Sequence, residues 1–183
     1  MSAENQTQRI LSSSIRVLIA DKRSVMRYGY AICSAAVEEV AVVGDAVDSE
    51  SLQAAARLLR PDVILIGMTV LASTWLDAAQ WENGGHAVPL VAAMPEIRDA
   101  YLAVAAWAGA QGYVVEDASP SELAGALCRA AAGQSGWRSD DRQRALRWQE
   151  DVGQPWCSLT VREREVFHLL VRGMSNSAIG SAL

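Results

Sequence analysis

The stretch PDVILIGMTV, residues 61–70, joins a run of apolar, largely β-branched side chains to a glycine. The run VILI at 63–66 predicts a strand that is buried on both faces, as is typical of a parallel sheet. Gly67 follows where such a strand would end, and α/β proteins place their functional groups at that end. The stretch therefore predicts the fold and raises the question of why position 67 has no side chain.

Outward from this stretch, short apolar runs alternate with longer helical patterns from residue 15 to about residue 132. The predicted strands are 16–20, 40–43, 63–66, 89–92 and 112–115, and the predicted helices are 24–37, 49–59, 72–82, 98–108 and 119–132. Right-handed crossovers between parallel strands put helices on both faces of the sheet. We therefore predict an α/β domain over 15–132 with a five-stranded, doubly wound parallel sheet.

Two helix starts carry specific capping signals. Ser119 is predicted as an N-cap, with Pro120 at the first helical position and Glu122 reaching back as its capping-box partner. Asp48 or Ser49 is predicted to cap the second helix. These signals fix where the crossover helices begin.

The segments outside this domain differ in composition. Residues 1–14 are polar and are predicted to be a flexible tail, and 133–158 is charged and glycine-containing, which predicts a linker with a short helix near 140–150. The three tryptophans of this linker, Trp137, Trp148 and Trp156, are interpreted as docking it onto a neighbour rather than binding a ligand. A further unit is predicted from residue 159.

Composition limits the classes of function. The chain is 51% hydrophobic over 183 residues, has no signal-like start and no membrane-length apolar run, and is predicted to be cytoplasmic. Three cysteines and two histidines without metal-ligand spacing predict neither a disulfide framework nor a metal site, and no cofactor. The net charge of −5 means that any contact with DNA must be local.

Four motifs, taken in order and spacing, resemble response regulators of the NarL/FixJ kind: IRVLIADKRSVMRYGY, RPDVILIGM, AWAGAQGYVVEDASPSEL and LTVREREVFHLLVRGMSNSAIGSAL. The resemblance covers nearly the whole chain after the tail. It implies a flavodoxin-like receiver domain followed by a LuxR-type helix-turn-helix. On this basis 159–183 is the N-terminal, all-α part of that DNA-binding unit, and its recognition helix is absent from the sequence.

The resemblance also implies a site for Mg²⁺-dependent phosphoryl transfer. It requires an acceptor aspartate after the third strand, an acid pair after the first, a hydroxyl after the fourth and a lysine after the fifth. In that order these positions fall on Gly67, on Asp21 with Lys22, on Met94 or the neighbouring Ala93, and on Glu116. Only Asp21 keeps the required chemistry, so this receiver is predicted not to be phosphorylated at the usual site.

The charges at this edge are exchanged relative to the pattern that the resemblance implies. Lys22, the only lysine of the chain, stands where the second acid is expected, and Glu116 stands where the lysine is expected. We hypothesise that the Lys22 ammonium fills the vacated metal space and pairs with Asp21, Glu116 or both. The alternative is that Lys22 is simply solvated.

The resemblance further implies regulation by partners. A dimer face is expected around the fourth helix and the fifth strand and helix, with Tyr101, Trp107 and Arg129 as candidates, although Trp107 fits the core equally well. The edge of the sheet formed by the carboxyl ends of the strands has fewer acids than the resemblance implies, and it is also a candidate site for a small-molecule effector.

In the C-terminal motif, Thr160 and Glu163 form a predicted capping box, Arg162 and Arg164 would help the unit fold, and Asn176 lies where it could contact phosphate. The leading hypothesis is a dimeric DNA-binding transcription regulator that binds DNA through its complete C-terminal domain. The alternative is a receiver-like protein–protein interaction module without DNA binding of its own. An enzyme would need a nucleophile or metal cluster at the strand ends, which the sequence does not supply.

Overall fold

The computed structural model describes residues 14–74, 82–83, 86–153 and 179–180. Its central sheet has five parallel strands: β1 (Ile15–Ala20), β2 (Val40–Ala46), β3 (Val63–Gly67), β4 (Leu90–Met94) and β5 (Gly112–Val115). The helices are α1 (Ser24–Ala35), α2 (Ser49–Leu59), α3 (Met68–Thr74), α4 (Asp99–Trp107), α5 (Pro120–Ala131) and α6 (Ser139–Trp148). A short antiparallel pair, Glu82–Asn83 with His86–Ala87, lies outside the sheet.

The spatial order of the strands is β2-β1-β3-β4-β5. The chain moves outward from β1 to β2, then crosses back beyond β1 to β3 and continues to β5, so its helices cover both faces of the sheet. This is the doubly wound, flavodoxin-like arrangement, and the prediction of an α/β fold is confirmed. The point where the order reverses lies between β1 and β3, which places the carboxyl ends of these two strands at the natural site of the fold.

Alternation along the strands divides the core into two layers. Leu18, Ile64 and Ile66 face one side of the sheet, whereas Val17 and Leu65 face the other, and all five are fully buried. Both faces of each inner strand are therefore apolar. This two-sided burial explains why the runs at 16–20 and 63–66 carry almost no polar residue.

The third helix differs from its predicted range of 72–82. It begins at Met68, directly after β3, and is described as far as Thr74. Three of its side chains, those of Met68, Val70 and Leu71, are buried in one layer of the core. The sequence analysis predicts that this helix starts at residue 72, but the side chains from Met68 onward already bury one helical face.

The two capping predictions are confirmed. Asp48, rather than Ser49, is the N-cap of α2, and its carboxylate accepts a hydrogen bond from Ser51 N at 2.8 Å. Ser119 caps α5, where Glu122 Oε2 accepts a hydrogen bond from Ser119 N at 2.9 Å. Both helices thus begin with a complete capping box.

The first part of the linker docks on the edge of the sheet. Gly136 bridges to Gly112 of β5, where a Cβ on Gly112 would lie only 2.9 Å from the Gly136 Cα, so both residues must be small. Trp137 then donates from Nε1 to the Ala110 carbonyl at 2.7 Å and meets the Tyr113 ring edge-on at a centroid distance of 5.4 Å. The interpretation of Trp137 as a docking residue is confirmed.

Helix α6 is held against the same edge by polar contacts. The buried Asp141 carboxylate accepts a hydrogen bond from the Tyr113 hydroxyl and forms an ion pair with Arg144 at 2.9 Å. Arg144 also pairs with Asp99, at the start of α4, at 2.7 Å. Burial together with the bond to Asp141 raises the pKa of Tyr113 to about 12, so its hydroxyl remains a donor at physiological pH.

The chain divides into two compact units, 1–145 and 146–183. Within the second unit the structure describes 146–153, which includes a π-helical turn, Gln149–Gly153, and residues 179–180, of which Ile179 is buried. The candidate residues of the DNA-binding motif lie outside the described residues: Thr160, Arg162, Glu163, Arg164 and Asn176. Of the helices that the structure describes, none has the length and apolar character needed to cross a membrane.

We predict that Tyr113→Phe lowers the free energy of unfolding by about 1 kcal/mol, because the buried Asp141 carboxylate loses one of its two donors. Urea denaturation measures the change. The same substitution at Tyr28, whose ring is 72% exposed, serves as the control and should be close to neutral. Equal effects at the two positions would contradict a structural role for the Tyr113 hydroxyl.

Candidate functional site

The carboxyl ends of the strands bring the predicted pocket residues to one edge of the sheet. Asp21 follows β1 and Gly67 ends β3, which is its neighbour in the sheet. Met94 ends β4, and Glu116 follows β5 directly. These residues therefore lie at the same edge of the sheet.

A single guanidinium joins the two acids. Arg23 Nη2 lies 2.9 Å from Asp21 Oδ2 and 2.6 Å from Glu116 Oε1. Arg23 Nε also donates to Asp21 Oδ1 at 3.1 Å, and Nη1 donates to Glu116 Oε2 at 3.1 Å. Each carboxylate is therefore held in a two-bond fork, which is the geometry that the planar guanidinium favours. We call these three residues the Arg23 bridge.

The Asp21 carboxylate is fully buried and accepts further bonds. The Arg23 backbone N donates to Oδ1 at 2.8 Å, and the Thr69 hydroxyl donates to the same oxygen at 3.2 Å. Burial alone would raise the pKa of Asp21, but the bonds and charge of Arg23, together with the Thr69 bond, outweigh it and lower the pKa below 3.8. Asp21 is thus a stably ionised, fully bonded carboxylate at neutral pH.

The hypothesis that Lys22 pairs with Asp21 or Glu116 is wrong, because Arg23 forms the ion pairs with both acids. Lys22 is exposed, and its backbone N lies 3.5 Å from Thr69 Oγ1. Arg23 is the N-cap residue of α1 and can reach both acids with five donors, whereas an ammonium has three at one point. The tripeptide at 21–23 contained both cations, so sequence reasoning could have weighed Arg23 and did not.

Position 67 has space only for a glycine. A Cβ at this position would lie 2.0 Å from Asp21 Oδ2 and 2.7 Å from Asp21 Cγ. Its backbone is not among the positive-φ glycines, so left-handed geometry is not the cause. The inward-turned Asp21 carboxylate occupies the volume that a side chain at position 67 would need, which gives a physical reason for the missing acid.

The hydroxyl expected after the fourth strand is also absent from that place. Met94 and the neighbouring Ala93 are fully buried apolar residues. The hydroxyl that contacts the acid comes instead from Thr69, in the first turn of α3. Sequence reasoning missed Thr69 because it assigned residue 69 to the connection before the helix.

Magnesium, which the resemblance implies, does not fit the residues present. The ion requires oxygen ligands with near-octahedral geometry. Here the oxygens of Asp21 and Glu116 accept from Arg23, whose positive charge lies between them. The described residues contain no group of three or more His, Cys, Asp or Glu side chains that could hold a metal ion.

The three candidates for a dimer face lie in different environments. Tyr101 is half-buried and packs against a layer of the core that also contacts Tyr113 and Trp137. Trp107, at the end of α4, is half-buried as well, and Arg129 is exposed on α5. Their role at an interface stays a prediction.

Comparison with curated proteins identifies bacterial regulators that match over 92% of this chain. The chain is 29% identical to the transcriptional regulatory protein LiaR of Bacillus subtilis over 82% of that protein, and 27% identical to the transcriptional regulatory protein YxjL of the same organism over 81%. It is 28% identical to the DNA-binding transcriptional activator DevR/DosR of Mycobacterium tuberculosis over 80%. No family model matches the chain.

Solved structures agree on the fold. A LuxR-family two-component response regulator from Aurantimonas sp. superposes with a TM-score of 0.61 at 25% identity, covering 76% of this chain and all of that one. The response regulator RcsB in its DNA complex superposes with a TM-score of 0.55 at 19% identity, covering 93% of this chain and 83% of that one. The relatives of this chain are therefore transcriptional regulators, one of which is a DNA-binding activator, and its fold is that of response regulators.

We predict that Gly67→Ala lowers the free energy of unfolding by about 1–3 kcal/mol, because the new Cβ must displace the Asp21 carboxylate. The same substitution made in an Asp21→Ala background should cost much less, since the obstructing oxygens are gone. A double-mutant cycle by chemical denaturation measures this coupling.

The control for this cycle is Gly29→Ala, within α1. A Cβ there meets no atom within 4 Å, so the change should stabilise the helix by roughly 0.5–1 kcal/mol. If Gly67→Ala costs the same with and without Asp21, the steric explanation of Gly67 fails.

Proposed function

We propose that this chain is a DNA-binding transcription regulator of the response-regulator kind, acting in the cytoplasm, whose receiver-like domain works without phosphorylation. The relatives support the first half of this proposal, since they include a transcriptional regulatory protein and a DNA-binding transcriptional activator that match along most of their length. The second half rests on one observation, the Arg23 bridge, which replaces an ion-dependent site with a bonded side-chain cation.

The bridge opposes phosphoryl transfer chemically. Position 67 offers no nucleophile, and the nearest carboxylate, that of Asp21, is fully buried with both oxygens accepting hydrogen bonds. A nucleophile must present a free lone pair to the phosphorus atom, and this one would first have to give up Arg23. Asp21 is therefore a poor substitute for the missing acceptor.

The charge balance opposes it as well. A phosphoryl group adds about −1.5 to −2 charges at neutral pH. The bridge already contains two carboxylates and only one guanidinium. The bonds to Asp21 and Glu116 raise the pKa of Arg23, so its positive charge already balances these two acids. Added negative charge would meet repulsion rather than a metal ion.

The bridge also supports a fixed arrangement of the domain. It links the loop after β1 to the end of β5, and Arg23 is at the same time the N-cap of α1. In proteins that switch, loops at this edge adopt two arrangements according to the ligand bound. A cation that is part of the chain cannot dissociate, so we propose that this domain stays in one arrangement.

DNA recognition belongs, in this proposal, to the C-terminal motif. Thr160, Glu163, Arg162 and Arg164 would build the first helix of the helix-turn-helix, and Asn176 would contact a phosphate. Base readout in such units is carried by a recognition helix in the major groove. A small-molecule effector remains compatible with this scheme, but the scheme does not require one.

We predict that the purified chain gains no phosphoryl group when it is incubated with a small-molecule phosphodonor and Mg²⁺. Intact-protein mass spectrometry measures the outcome, and a receiver that retains its acceptor aspartate is treated in parallel as the positive control. Stoichiometric modification that is lost on Asp21→Asn would contradict the proposal.

We further predict that this chain, extended so that its C-terminal helix-turn-helix is complete, binds promoter DNA with an affinity that falls steeply as salt rises. Fluorescence anisotropy across a salt series measures it, and added phosphodonor should change neither affinity nor slope. Asn176→Ala should reduce the affinity with little change in sequence preference. An extended chain that fails to bind at low salt would favour the interaction-module alternative.

A further inference from the structure

A pocket lies at the outer edge of the sheet, beside β5. This strand is the last in the spatial order, and on its outer side the described residues form one bridge, from Gly112 to Gly136 of the linker. The pocket adjoins this bridge and has a volume of about 210 Å³. Its lining includes Ile97, Val115, one face of α5 and the linker residue Arg138. We call it the β5 pocket.

Two guanidinium groups line the β5 pocket. Arg129 lies on α5 and Arg138 lies in the linker just before α6, and both residues are exposed. Neither of them forms an ion pair with another residue that the structure describes, whereas Arg23, Arg27 and Arg144 all do. The charges of these two guanidiniums are therefore available to a ligand, and their planar forks suit an oxyanion.

The surface of α5 is shaped around Arg129. Gly125 lies in the middle of that helix, where glycine costs roughly 0.5–1 kcal/mol relative to alanine. A Cβ at position 125 would lie 3.3 Å from Arg129 Nη1, so the guanidinium lies back along the helix beside the glycine. Long helical side chains point toward the N-terminus of their helix in this way. The glycine thus leaves room for the cation at the pocket.

One acid also lines the pocket, but it has partners of its own. Glu122 Oε2 accepts a hydrogen bond from Ser119 N at 2.9 Å and another from the Ser119 hydroxyl at 2.7 Å. These bonds lower the pKa of Glu122, so it remains an ionised capping residue at neutral pH. Two guanidiniums and one carboxylate leave the lining with an excess of one positive charge. Ile97, Val115 and Ala126 supply apolar surface beside it.

We propose that the β5 pocket binds a small organic anion, in which a carboxylate or a phosphate-like oxyanion is attached to a compact apolar body. The oxyanion lies between Arg129 and Arg138, each of which offers up to five N–H donors. The body packs on Ile97 and Val115. The ligand must be small, because 210 Å³ is below the roughly 300–1,000 Å³ of pockets that bind drug-sized molecules.

This site is separate from the carboxyl ends of the strands, where the sequence placed a candidate effector site. At those ends the cation, Arg23, is already paired with Asp21 and Glu116. None of these three residues lines the β5 pocket. The pocket offers the unpaired cations that the Arg23 bridge lacks.

Binding would join two segments of the chain. The linker is held to the sheet edge by Gly136 N, which donates to the Gln111 carbonyl at 2.8 Å. An anion between Arg129 and Arg138 adds a contact between α5 and the residues that lead into α6. We therefore expect a bound anion to slow amide hydrogen exchange over 134–138, because local opening of this segment would break the new contact.

The test is a titration of the 183-residue chain that is followed by two-dimensional amide NMR. The probes are benzoate and phenylphosphonate, which carries no transferable phosphoryl group. We expect saturable shifts at the amides of Val115, Arg129 and Gly136. Benzyl alcohol has the ring without the charge, and inorganic phosphate has the charge without the ring. Each of these two controls should bind at least about tenfold more weakly than the tighter probe.

Matched variants test the two cations. Arg129→Gln and Arg138→Gln should each raise the dissociation constant of the tighter probe at least about tenfold, because each removes a charge-assisted contact. Arg57→Gln makes the same change in net charge on α2, whose buried residues belong to the other layer of the core, and it should leave the affinity unchanged. All three side chains are exposed, and circular dichroism melts confirm that the variants are folded.

Binding of either anion with these effects supports the proposal, and the tighter probe identifies the preferred oxyanion. If neither anion binds saturably, or if Arg57→Gln weakens binding as much as Arg129→Gln does, the assigned site is wrong. If either control compound binds as tightly as the probes, the assigned ligand class is wrong. Unchanged exchange over 134–138 at saturation overturns the contact with the linker. The inference does not rest on the proposed function, since none of these results changes the phosphodonor or DNA outcomes.

Discussion

The site depends on one electrostatic requirement, which is that the fully buried Asp21 carboxylate must be neutralised. An unpaired charge in that position would cost several kcal/mol, so the fold must supply a cation or protonate the acid. Arg23 supplies it from two residues away and reaches on to Glu116. The direction in which Asp21 then points leaves no volume for a side chain on Gly67. Gly67, Arg23 and the inward-turned Asp21 carboxylate are therefore parts of one arrangement that satisfies this requirement.

This solution changes what the edge of the sheet can do. A metal ion and a phosphoryl group enter and leave such a site, and their exchange lets a domain adopt two states. A guanidinium attached to the backbone has a fixed local concentration and loses little orientational freedom when it forms a forked bond. In the proposed function, the Arg23 bridge therefore favours one arrangement without a bound ligand. A ligand could shift it only by binding an arrangement in which Arg23 has left Asp21.

The sheet could be predicted from the sequence because burial on both faces imposes an apolar run on every inner strand, as in 63–66. The helix starts at Asp48 and Ser119 could also be predicted from the sequence, since their capping bonds join residues that are three positions apart. For the site, the sequence predicted its position at the carboxyl ends of the strands but not the contacts within it. Whether Lys22 or Arg23 contacts Glu116 depends on the direction in which the side chains after β1 point. Glu116 is more than 90 positions away in the sequence, so no local sequence pattern predicts this contact. The contact from Thr69 was missed for the same reason.

The position of α1 connects the site to the outer surface. Arg23 is the last residue before this helix, and Arg27, one turn into it, donates to the Asp21 carbonyl at 2.8 Å and pairs with Asp45 at the end of β2. The first turn of α1 is consequently bonded to β1, β2 and, through Glu116, β5. These bonds fix how the helix presents Val25 and its neighbours to solvent.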